Sequence, residues 1–350
     1  MAPQPDLSLS VSGVRFPLRP PPKQSLLKWG LLFFFFGIKL KEVFYLRKIP
    51  HPSTSSGFGM TVYVDTMKKV VLFGAKGTLG QALCDEFVSQ GYMVIGLDHS
   101  EIDITDYDKV KEKLLELSPD IIINSTGVNA VDKIEQEEAM YELAKNINGL
   151  AVENMARVSK DLGSSFVHYS TDYVFDGKKG TAYTEQDIPA PLSRYAETKL
   201  LGETLVQSVG GKFFIIRISR LFGKAGMSSS SKRSFVDTML ALSKEKDHLD
   251  IVSDQVGSPT YAPDAARFTR ILLEGEYAPG IYHGTNSGEC SWYDWALKIF
   301  ALKNISIDVA GVSHTQFPRP ARAPLFSALE NTKLSPQRSW EEALREYLLS

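Results

Sequence analysis

The sequence after residue 66 predicts an α/β fold, with a doubly wound parallel sheet and a smaller domain at the C-terminal end. Apolar, strand-like runs alternate there with longer amphipathic stretches, which places helices on both faces of a parallel sheet. Val70–Phe73 and Ile121–Ile123 are apolar at every position, as strands covered on both faces must be. A glycine-rich turn, Gly74–Gly80, directly follows the first of these runs and opens a helical pattern.

The first part of this region carries five predicted strands. They are Lys69–Phe73, Met93–Leu97, Ile121–Asn124, Phe166–Tyr169 and Phe213–Ile218. After about Arg220 the pattern loosens, and helices are predicted at Phe235–Lys244, Asp264–Leu273 and Trp292–Ala301. Capping boxes that start at Ser291 and Ser339 predict two late helices. We therefore predict one domain over residues 67–218 and a second over residues 219–350, some segments of which return to the first.

Residues 1–66 have a different composition from the rest of the chain. They hold eight of the 18 prolines, and eight Lys or Arg against three Asp or Glu. Their apolar run, Trp29–Ile38, is about half of the roughly 20 residues that a membrane span needs, and no small-residue cleavage site follows it. Pro20–Pro22 and Ser53–Gly59 are typical of disorder. We predict that residues 1–66 are a disordered or non-native extension outside the fold.

Composition and charge narrow the classes of protein to consider. The chain has 350 residues, of which 43% are apolar and 23% charged, and this balance is typical of a soluble globular protein. A net charge of −2 argues against a protein that coats nucleic acid. Cys84 and Cys290 stand far apart, outside any metal-ligand pattern. We therefore predict a cytoplasmic protein that binds a small ligand, with no nucleic-acid partner, membrane partner or metal ligand set.

The glycine turn predicts a dinucleotide site of the Rossmann type. Gly74, Gly77 and Gly80 form a GxxGxxG pattern between a strand and a helix. Such glycines permit the tight turn, let the backbone approach a pyrophosphate, and let the helix pack close to the sheet. Asp98 closes the second strand, where a carboxylate bonds the ribose 2′-hydroxyl and repels a 2′-phosphate. Asp98 therefore favours NADH, the alternative being a solvated turn residue.

Three polar residues form the candidate catalytic set. Tyr195 and Lys199 are four residues apart, which on a helix places them on one face. A lysine ammonium stabilises a phenolate, so we expect Lys199 to draw the tyrosine pKa towards neutral pH, and it can also reach ribose hydroxyls. Thr171 follows the fourth strand at the carboxyl edge of the sheet, where doubly wound folds bind ligands. Its hydroxyl can polarise a substrate carbonyl beside Tyr195.

Together these features resemble the extended short-chain dehydrogenase/reductase family, and further motifs resemble its dTDP-4-dehydrorhamnose reductases. These motifs, similar in order and spacing, are Asn124–Gly127, Ala130–Lys133, His168–Phe175, Asp254–Thr260 and Gly280–His283. The resemblance covers Met67 to the C-terminus. It implies an NADH- or NADPH-dependent reductase that reduces the 4-keto group of a nucleotide-linked 6-deoxy sugar in cell-surface polysaccharide biosynthesis.

The resemblance also implies roles for individual residues. Tyr195, Lys199 and Thr171 form the catalytic set, with Tyr195 and Lys199 also at the cofactor. The other implied cofactor residues are Gly77, Thr78 and Leu79 at the pyrophosphate, Asp98, Asp103 and Ile104 at the adenosine, and Gly127, Val128, Asn129 and Tyr169 around the remainder. The implied substrate residues are Thr171, Asp172 and Arg220, and Arg319 or Arg322 at the nucleotide pyrophosphate.

Some positions keep alternatives open. Arg220 stands where the family pattern usually has tryptophan, which leaves the details of nucleotide-sugar binding open. A sugar-nucleotide epimerase or dehydratase is one alternative, but dehydratases carry a glutamate where this chain has Tyr173. A non-catalytic protein similar to the regulatory β subunit of methionine adenosyltransferase is another. The sequence leaves open the NADH or NADPH preference, a Mg²⁺ requirement and whether the chain forms a homodimer.

Overall fold

The computed structural model describes residues 8–11, 14–17, 43–48, 60–65, 67–227 and 233–349. The chain divides into two units, Met1–Thr66 and Met67–Ser350. The first unit contains two antiparallel strand pairs: β1 (Ser8–Val11) with β2 (Val14–Pro17), and β3 (Val43–Lys48) with β4 (Met60–Asp65). The segments predicted as disordered, Pro20–Pro22 and Ser53–Gly59, and the apolar run Trp29–Ile38 lie outside the described residues. The assignment of residues 1–66 as an extension stays a prediction.

The second unit alternates strands and helices. Its strands are β5 (Lys69–Phe73), β6 (Met93–Leu97), β7 (Ile121–Asn124), β8 (Ser165–Thr171), β9 (Phe213–Ile218), β10 (Leu221–Phe222), β11 (His248–Val252), β12 (Val256–Gly257), β13 (Thr260–Tyr261), β14 (Gly280–His283), β15 (Cys290–Ser291) and β16 (Asp308–Val312). Its α-helices are α1 (Thr78–Ser89), α2 (Tyr107–Leu117), α3 (Val131–Gln136), α4 (Glu138–Lys145), α5 (Ala151–Leu162), α6 (Arg194–Val209), α7 (Phe235–Leu242), α8 (Ala262–Glu274), α9 (Trp292–Leu302) and α10 (Trp340–Leu349). A π-helical turn, Asn146–Leu150, joins α4 to α5.

The central sheet is six-stranded and entirely parallel, in the order β6-β5-β7-β8-β9-β14. The strand order reverses between β5 and β7, and doubly wound sheets bind ligands at the carboxyl end of such a reversal. The predicted doubly wound parallel sheet is confirmed. Four of the five predicted strands have the observed bounds, while β8 extends the predicted strand at both ends. The sixth strand, β14, was not predicted as a strand.

Each face of the sheet packs against its own set of helices. One face buries Val71, Phe73 and Ile122 against α2, α5 and the end of α6. The other buries Leu72, Ile123 and Phe214 against α1 and α8. Because both faces are covered, the apolar alternation that marks a half-exposed strand is absent from β5 and β7, as their sequences predicted.

The C-terminal half contributes both to this sheet and to a second core. Helix α8 lies beside α1, where Arg270 donates to Glu86 at 2.7 Å, and β14 extends the sheet next to β9. A separate cluster around Phe222 and Trp295 packs α7, α9 and α10 together. The predicted capping boxes at Ser291 and Ser339 are confirmed. In each, the serine hydroxyl accepts from the backbone N–H three residues later, and the carboxylate of that later residue accepts from the serine N–H.

A fully buried ion pair joins helix α6 to the sheet. The Arg217 guanidinium, on β9, donates to both carboxylate oxygens of Glu203, on α6, at 2.9 and 2.6 Å. The side chains are 1% and 0% exposed, and the guanidinium also lies 5.0 Å from the centre of the Phe175 ring. Removing one partner would therefore leave an uncompensated charge in the core.

We expect Arg217→Met to lower the free energy of unfolding by about 3–5 kcal/mol, because Glu203 would remain buried without its partner. Urea denaturation followed by circular dichroism measures the change. The control is Arg157→Met, which breaks a partly exposed pair with Glu153 within α5 and should cost less than about 1 kcal/mol. Similar losses for the two variants would contradict a special role for the buried pair.

Candidate active site

The glycine turn after β5 is built so that only glycine fits at two positions. Gly74 has φ +82°, and a Cβ there would meet Ser125 at 2.9 Å. A Cβ on Gly80 would overlap the Gly74 carbonyl oxygen. Gly77 is the N-cap of α1 and offers no side-chain cap, and the first turn holds no acidic residue. The backbone N–H groups of Thr78 and Leu79 at this positive helix end therefore suit a pyrophosphate.

Asp98, at the end of β6, is paired by its neighbours. The Lys76 ammonium, from the middle of the glycine turn, forms an ion pair with one carboxylate oxygen of Asp98. The other oxygen accepts hydrogen bonds from the Ser100 N–H at 2.8 Å and from the Ser100 hydroxyl at 2.6 Å. These bonds hold the pKa of Asp98 well below its usual value. Lys76 is missing from the predicted site residues, because its approach to Asp98 depends on how the turn folds.

The loop after β7 is fixed by a residue that the sequence did not single out. Asn148, fully buried in the π-helical turn, accepts a hydrogen bond from the Val128 N–H at 2.9 Å. Its amide nitrogen donates to the Val128 carbonyl oxygen and to the Thr198 hydroxyl, both at 3.0 Å. A Cβ on Gly127 would lie 4.0 Å from Lys199 Nζ, so this loop faces the candidate catalytic lysine. Asn129 is exposed beside it.

Helix α6 brings Tyr195 and Lys199 to the carboxyl edge of β8. Lys199 is buried, its Nζ donates to the Tyr169 carbonyl oxygen at 2.6 Å, and burial lowers its pKa to about 8. Burial raises the pKa of Tyr195, and a hydrogen bond with Thr171 opposes this rise. The structure thus brings all three candidate catalytic residues together. The expected lowering of the Tyr195 pKa is not observed, because desolvation of the phenolate dominates.

The side chain of Asp172, in the turn that follows β8, is held by hydroxyl groups. It is buried and accepts hydrogen bonds from the Ser327 hydroxyl at 2.5 Å and the Thr171 hydroxyl at 3.1 Å. Burial raises the pKa of Asp172, and the positive charge of Arg220 opposes the rise. Arg220 has φ +46° and donates to the carbonyl oxygens of Cys290 and Gln255 at 2.7 and 2.8 Å. Its guanidinium thus links two segments of the C-terminal half, β15 and the residues just before β12.

The two arginines predicted at the nucleotide pyrophosphate lie on one exposed loop. Arg319 donates from Nε and Nη2 to the Asp132 carboxylate at 3.1 and 2.9 Å, which links the loop to helix α3. Arg319 also hydrogen-bonds Tyr173, whose ring centre lies 5.8 Å from that of Tyr195. Arg322, three residues further along the chain, is exposed. Arg319 therefore contacts Tyr173, the neighbour of Tyr195, while its guanidinium is held by Asp132.

The remaining predicted cofactor residues have different surroundings. Asp103 is exposed, and its carboxylate accepts from the Thr105 N–H and hydroxyl. Ile104 packs partly against the core. The Tyr169 side chain lies in the core and is hydrogen-bonded to Thr269, so only the backbone of Tyr169 faces the cleft. The role of Tyr169 at a cofactor stays a prediction, and in the structure its backbone carbonyl oxygen is the acceptor for Lys199 Nζ.

In the described part of the chain, no helix is long and apolar enough to cross a membrane. No group of three His, Cys, Asp or Glu among the described residues is placed to hold a metal ion. Cys84 and Cys290 are free thiols.

A glycine turn at the reversal of a doubly wound sheet, facing a tyrosine and a lysine on one helix, defines a dinucleotide-binding enzyme of the short-chain dehydrogenase/reductase class. Residues 67–350 match the family model described as the RmlD substrate binding domain. The chain belongs to this family, that of the dTDP-4-dehydrorhamnose reductases, and the resemblance inferred from the sequence is confirmed.

Relatives support this membership over most of both chains. The chain is 39% identical over 287 residues to the spore coat polysaccharide biosynthesis protein SpsK of Bacillus subtilis (strain 168), covering 81% of this chain and 97% of that protein. It is 36% identical to the dTDP-4-dehydrorhamnose reductase of Aggregatibacter actinomycetemcomitans, covering 80% and 98%. The dTDP-4-dehydrorhamnose reductase of Bacillus anthracis str. Ames, solved in complex with NADP, is 35% identical with a TM-score of 0.76, covering 81% and 99%.

We expect Asn148→Ala to lower the free energy of unfolding by about 1–3 kcal/mol, because the N–H and carbonyl groups of Val128 would lose their partner. Hydrogen exchange of the Val128 amide should also accelerate. Urea denaturation and exchange mass spectrometry measure the two effects. Asn146→Ala, an exposed position in the same turn, is the control and should change stability by less than about 0.5 kcal/mol. Equal effects would show that Asn148 does not hold the loop.

Proposed function

We propose that the chain reduces the 4-keto group of a nucleotide-linked 6-deoxy sugar, converting dTDP-4-dehydro-L-rhamnose to dTDP-L-rhamnose with NADH or NADPH. The observation that carries this proposal is the meeting of Tyr195, Lys199 and Thr171 at the edge of the sheet that also holds the glycine turn. Relatives that share the whole of this region are named for the same reaction. We propose that the product is used in cell-surface polysaccharide biosynthesis. We also propose that the enzyme works in the cytoplasm and can form a homodimer.

The chemistry divides between the cofactor and the protein. When bound, the reduced nicotinamide supplies a hydride to the ketone carbon. Tyr195 donates its phenolic proton to the ketone oxygen, which yields the alcohol and leaves a phenolate to be reprotonated from water. A raised pKa keeps Tyr195 protonated beforehand, as a proton donor must be. Thr171, hydrogen-bonded to Tyr195, orients the phenol and the ketone oxygen.

The residues around Asp172 and Arg319 suit a nucleotide-sugar substrate. Asp172 can accept a sugar hydroxyl in place of its bond to Ser327. Arg319 donates from Nε and Nη2 to one carboxylate oxygen of Asp132, and the same two donors can bind a pyrophosphate. Substrate binding would therefore exchange Asp132 for phosphate at Arg319. A dehydratase is disfavoured because its general acid is replaced by Tyr173, which packs against the Tyr195 ring.

We expect Tyr195→Phe to lower kcat by roughly 10²–10⁴, because the ring and its packing survive while the proton donor is lost. Cofactor Kd should stay within about threefold. The assay follows loss of NADH or NADPH absorbance with a panel of nucleotide-linked 4-keto sugars, and circular dichroism confirms folding. The parent enzyme's failure to consume reduced cofactor with any of these ketones would overturn the proposed function.

Two companion variants separate binding from proton transfer. Lys199→Met should raise the cofactor Kd and lower kcat, because it removes a ribose contact and an electrostatic partner of the tyrosine. Thr171→Val should lower kcat with little change in cofactor Kd. A Tyr195→Phe enzyme that keeps more than half of the parental kcat, with chemistry rate-limiting, would remove the tyrosine from the mechanism.

The ion pair of Lys76 with Asp98 bears on the choice of cofactor. Asp98 considered alone favours NADH, but in the structure its charge is compensated by an ammonium that is itself half exposed. A 2′-phosphate at this position would meet the Lys76 cation as well as the carboxylate, and a ribose hydroxyl could still bond Asp98. We therefore propose that the enzyme accepts both NADH and NADPH, with Lys76 as the contact to the 2′-phosphate.

Lys76→Met tests this assignment. We expect the Kd for NADPH to rise about tenfold, or roughly 1.4 kcal/mol, and the Kd for NADH to change by less than about threefold. Titration of intrinsic fluorescence measures both constants without turnover. Lys109→Met is the matched control, since Lys109 is exposed and pairs with Asp106 instead. An equal loss for both cofactors would show that Lys76 does not read the 2′ position.

A further inference from the structure

Three polar side chains stand in one row across the central sheet. Ser170 on β8 is the register partner of Arg217 on β9, and Arg217 is in turn the partner of His283 on β14. Paired residues of neighbouring parallel strands point their side chains to the same face, and adjacent strands lie about 4.8 Å apart. These three side chains, which we call the polar row, are therefore neighbours on the face that Glu203 of α6 contacts.

Each member of the polar row has a buried polar atom without a hydrogen bond. Ser170, Arg217 and His283 are 4%, 1% and 0% exposed. Among the residues that the structure describes, Ser170 Oγ, Arg217 Nη1 and His283 Nε2 have no hydrogen-bond partner. Glu203 engages only Nε and Nη2 of the guanidinium. Because buried polar groups are nearly always paired, three neighbouring exceptions point to a common partner.

The hydrogen-bonding capacity of the three atoms follows from their chemistry and their neighbours. Arg217 Nη1 can only donate. His283 Nδ1 lies 3.0 Å from the Glu330 carbonyl oxygen, which can only accept, so Nδ1 carries a proton. Burial holds the pKa of His283 below its usual value, although the Glu185 carboxylate opposes this lowering, so the ring is neutral and Nε2 is an acceptor. An unpaired donor and an unpaired acceptor therefore lie on adjacent strands.

The surroundings of this donor and acceptor determine what kind of ligand they can share. Both groups border the Phe175 ring, whose centre lies 5.0 Å from the Arg217 guanidinium carbon and 6.0 Å from the centre of the His283 ring. The charge of Arg217 is already compensated by Glu203, and the imidazole is neutral. A group between them must therefore be small and uncharged, and it must accept a hydrogen bond while donating another.

We propose that the polar row holds a buried water molecule, which accepts from Arg217 Nη1 and donates to His283 Nε2. Water is the smallest neutral molecule that both accepts and donates, and buried waters make about three hydrogen bonds to groups that the protein leaves unpaired. The Ser170 hydroxyl, which can donate or accept, is the third partner. The site therefore satisfies all three side chains with one molecule.

This water site would complete the attachment of the catalytic helix to the sheet. Arg217 holds α6 through Glu203, and the water engages the guanidinium nitrogen that Glu203 does not reach. Ser170 directly precedes Thr171 at the end of β8. The water thus connects the strand that carries Thr171 to the ion pair that holds α6. This structural role does not depend on the proposed reaction.

A high-resolution crystal structure of the full chain tests the proposal directly. We expect an ordered water at hydrogen-bond distance, about 2.7–3.2 Å, from both Arg217 Nη1 and His283 Nε2. A direct hydrogen bond between these two nitrogen atoms would overturn the proposal, because it would leave no place for a bridging molecule. Well-defined side chains with no ordered water between them would overturn it as well.

Relaxation dispersion of ¹⁷O-labelled water counts long-lived internal waters in solution. His283→Phe keeps a ring beside Phe175 but removes the acceptor, so we expect one long-lived water fewer than in the parent and a Tm lower by roughly 3–8 °C. His248→Phe, which replaces an exposed imidazole on β11, is the control and should keep the parental water count and change Tm by less than about 2 °C. An unchanged count in folded His283→Phe would contradict the proposal. If that variant does not fold, the crystal structure of the parent decides.

Discussion

The buried ion pair between Arg217 and Glu203 is the constraint on which the catalytic arrangement depends. It joins β9 to α6, the helix that carries Tyr195 and Lys199, so it fixes the helix against the sheet edge where the cleft opens. Burying two charges costs solvation free energy, and the two hydrogen bonds from Arg217 to both carboxylate oxygens of Glu203 offset that cost. Glu203 also lies one helical turn from Lys199, where burial lowers the pKa of the lysine and the Glu203 carboxylate opposes that lowering.

The reversal of strand order between β5 and β7 determines where the other parts of the site meet. It separates the ends of two neighbouring strands, and the glycine turn and the Gly127 loop occupy the two sides of the resulting cleft. Both are held by backbone contacts, since Gly80 abuts the Gly74 carbonyl and Asn148 bonds both polar groups of Val128. Such rigid supports suit a reaction in which positioning supplies much of the rate.

Two cations predicted or proposed to bind a ligand are held in ion pairs with carboxylates. Lys76 is bound by Asp98 and Arg319 by Asp132, in each case at a partly exposed position. Under the proposed function, each cation is thereby oriented before the phosphate of a ligand binds, which reduces the conformational entropy that binding costs. The exchange of a carboxylate for a phosphate also keeps the local charge nearly balanced, so neither bound nor free site leaves a buried charge uncompensated.

The sequence by itself determined the parallel sheet, the glycine turn and the Tyr195–Lys199 spacing, because strand burial, turn geometry and helical periodicity are local properties. Only the tertiary structure decided that Lys76 pairs with Asp98, that Asn148 hydrogen-bonds the backbone of Val128 and that His168 lies beside Lys199. These contacts join residues about 20 to 30 positions apart on different elements, and no short pattern encodes them. The burial of the Tyr169 side chain in the core could not be predicted either. Strand β8 is buried on both faces, so its sequence has no alternation of apolar and polar residues that would show which way each side chain points.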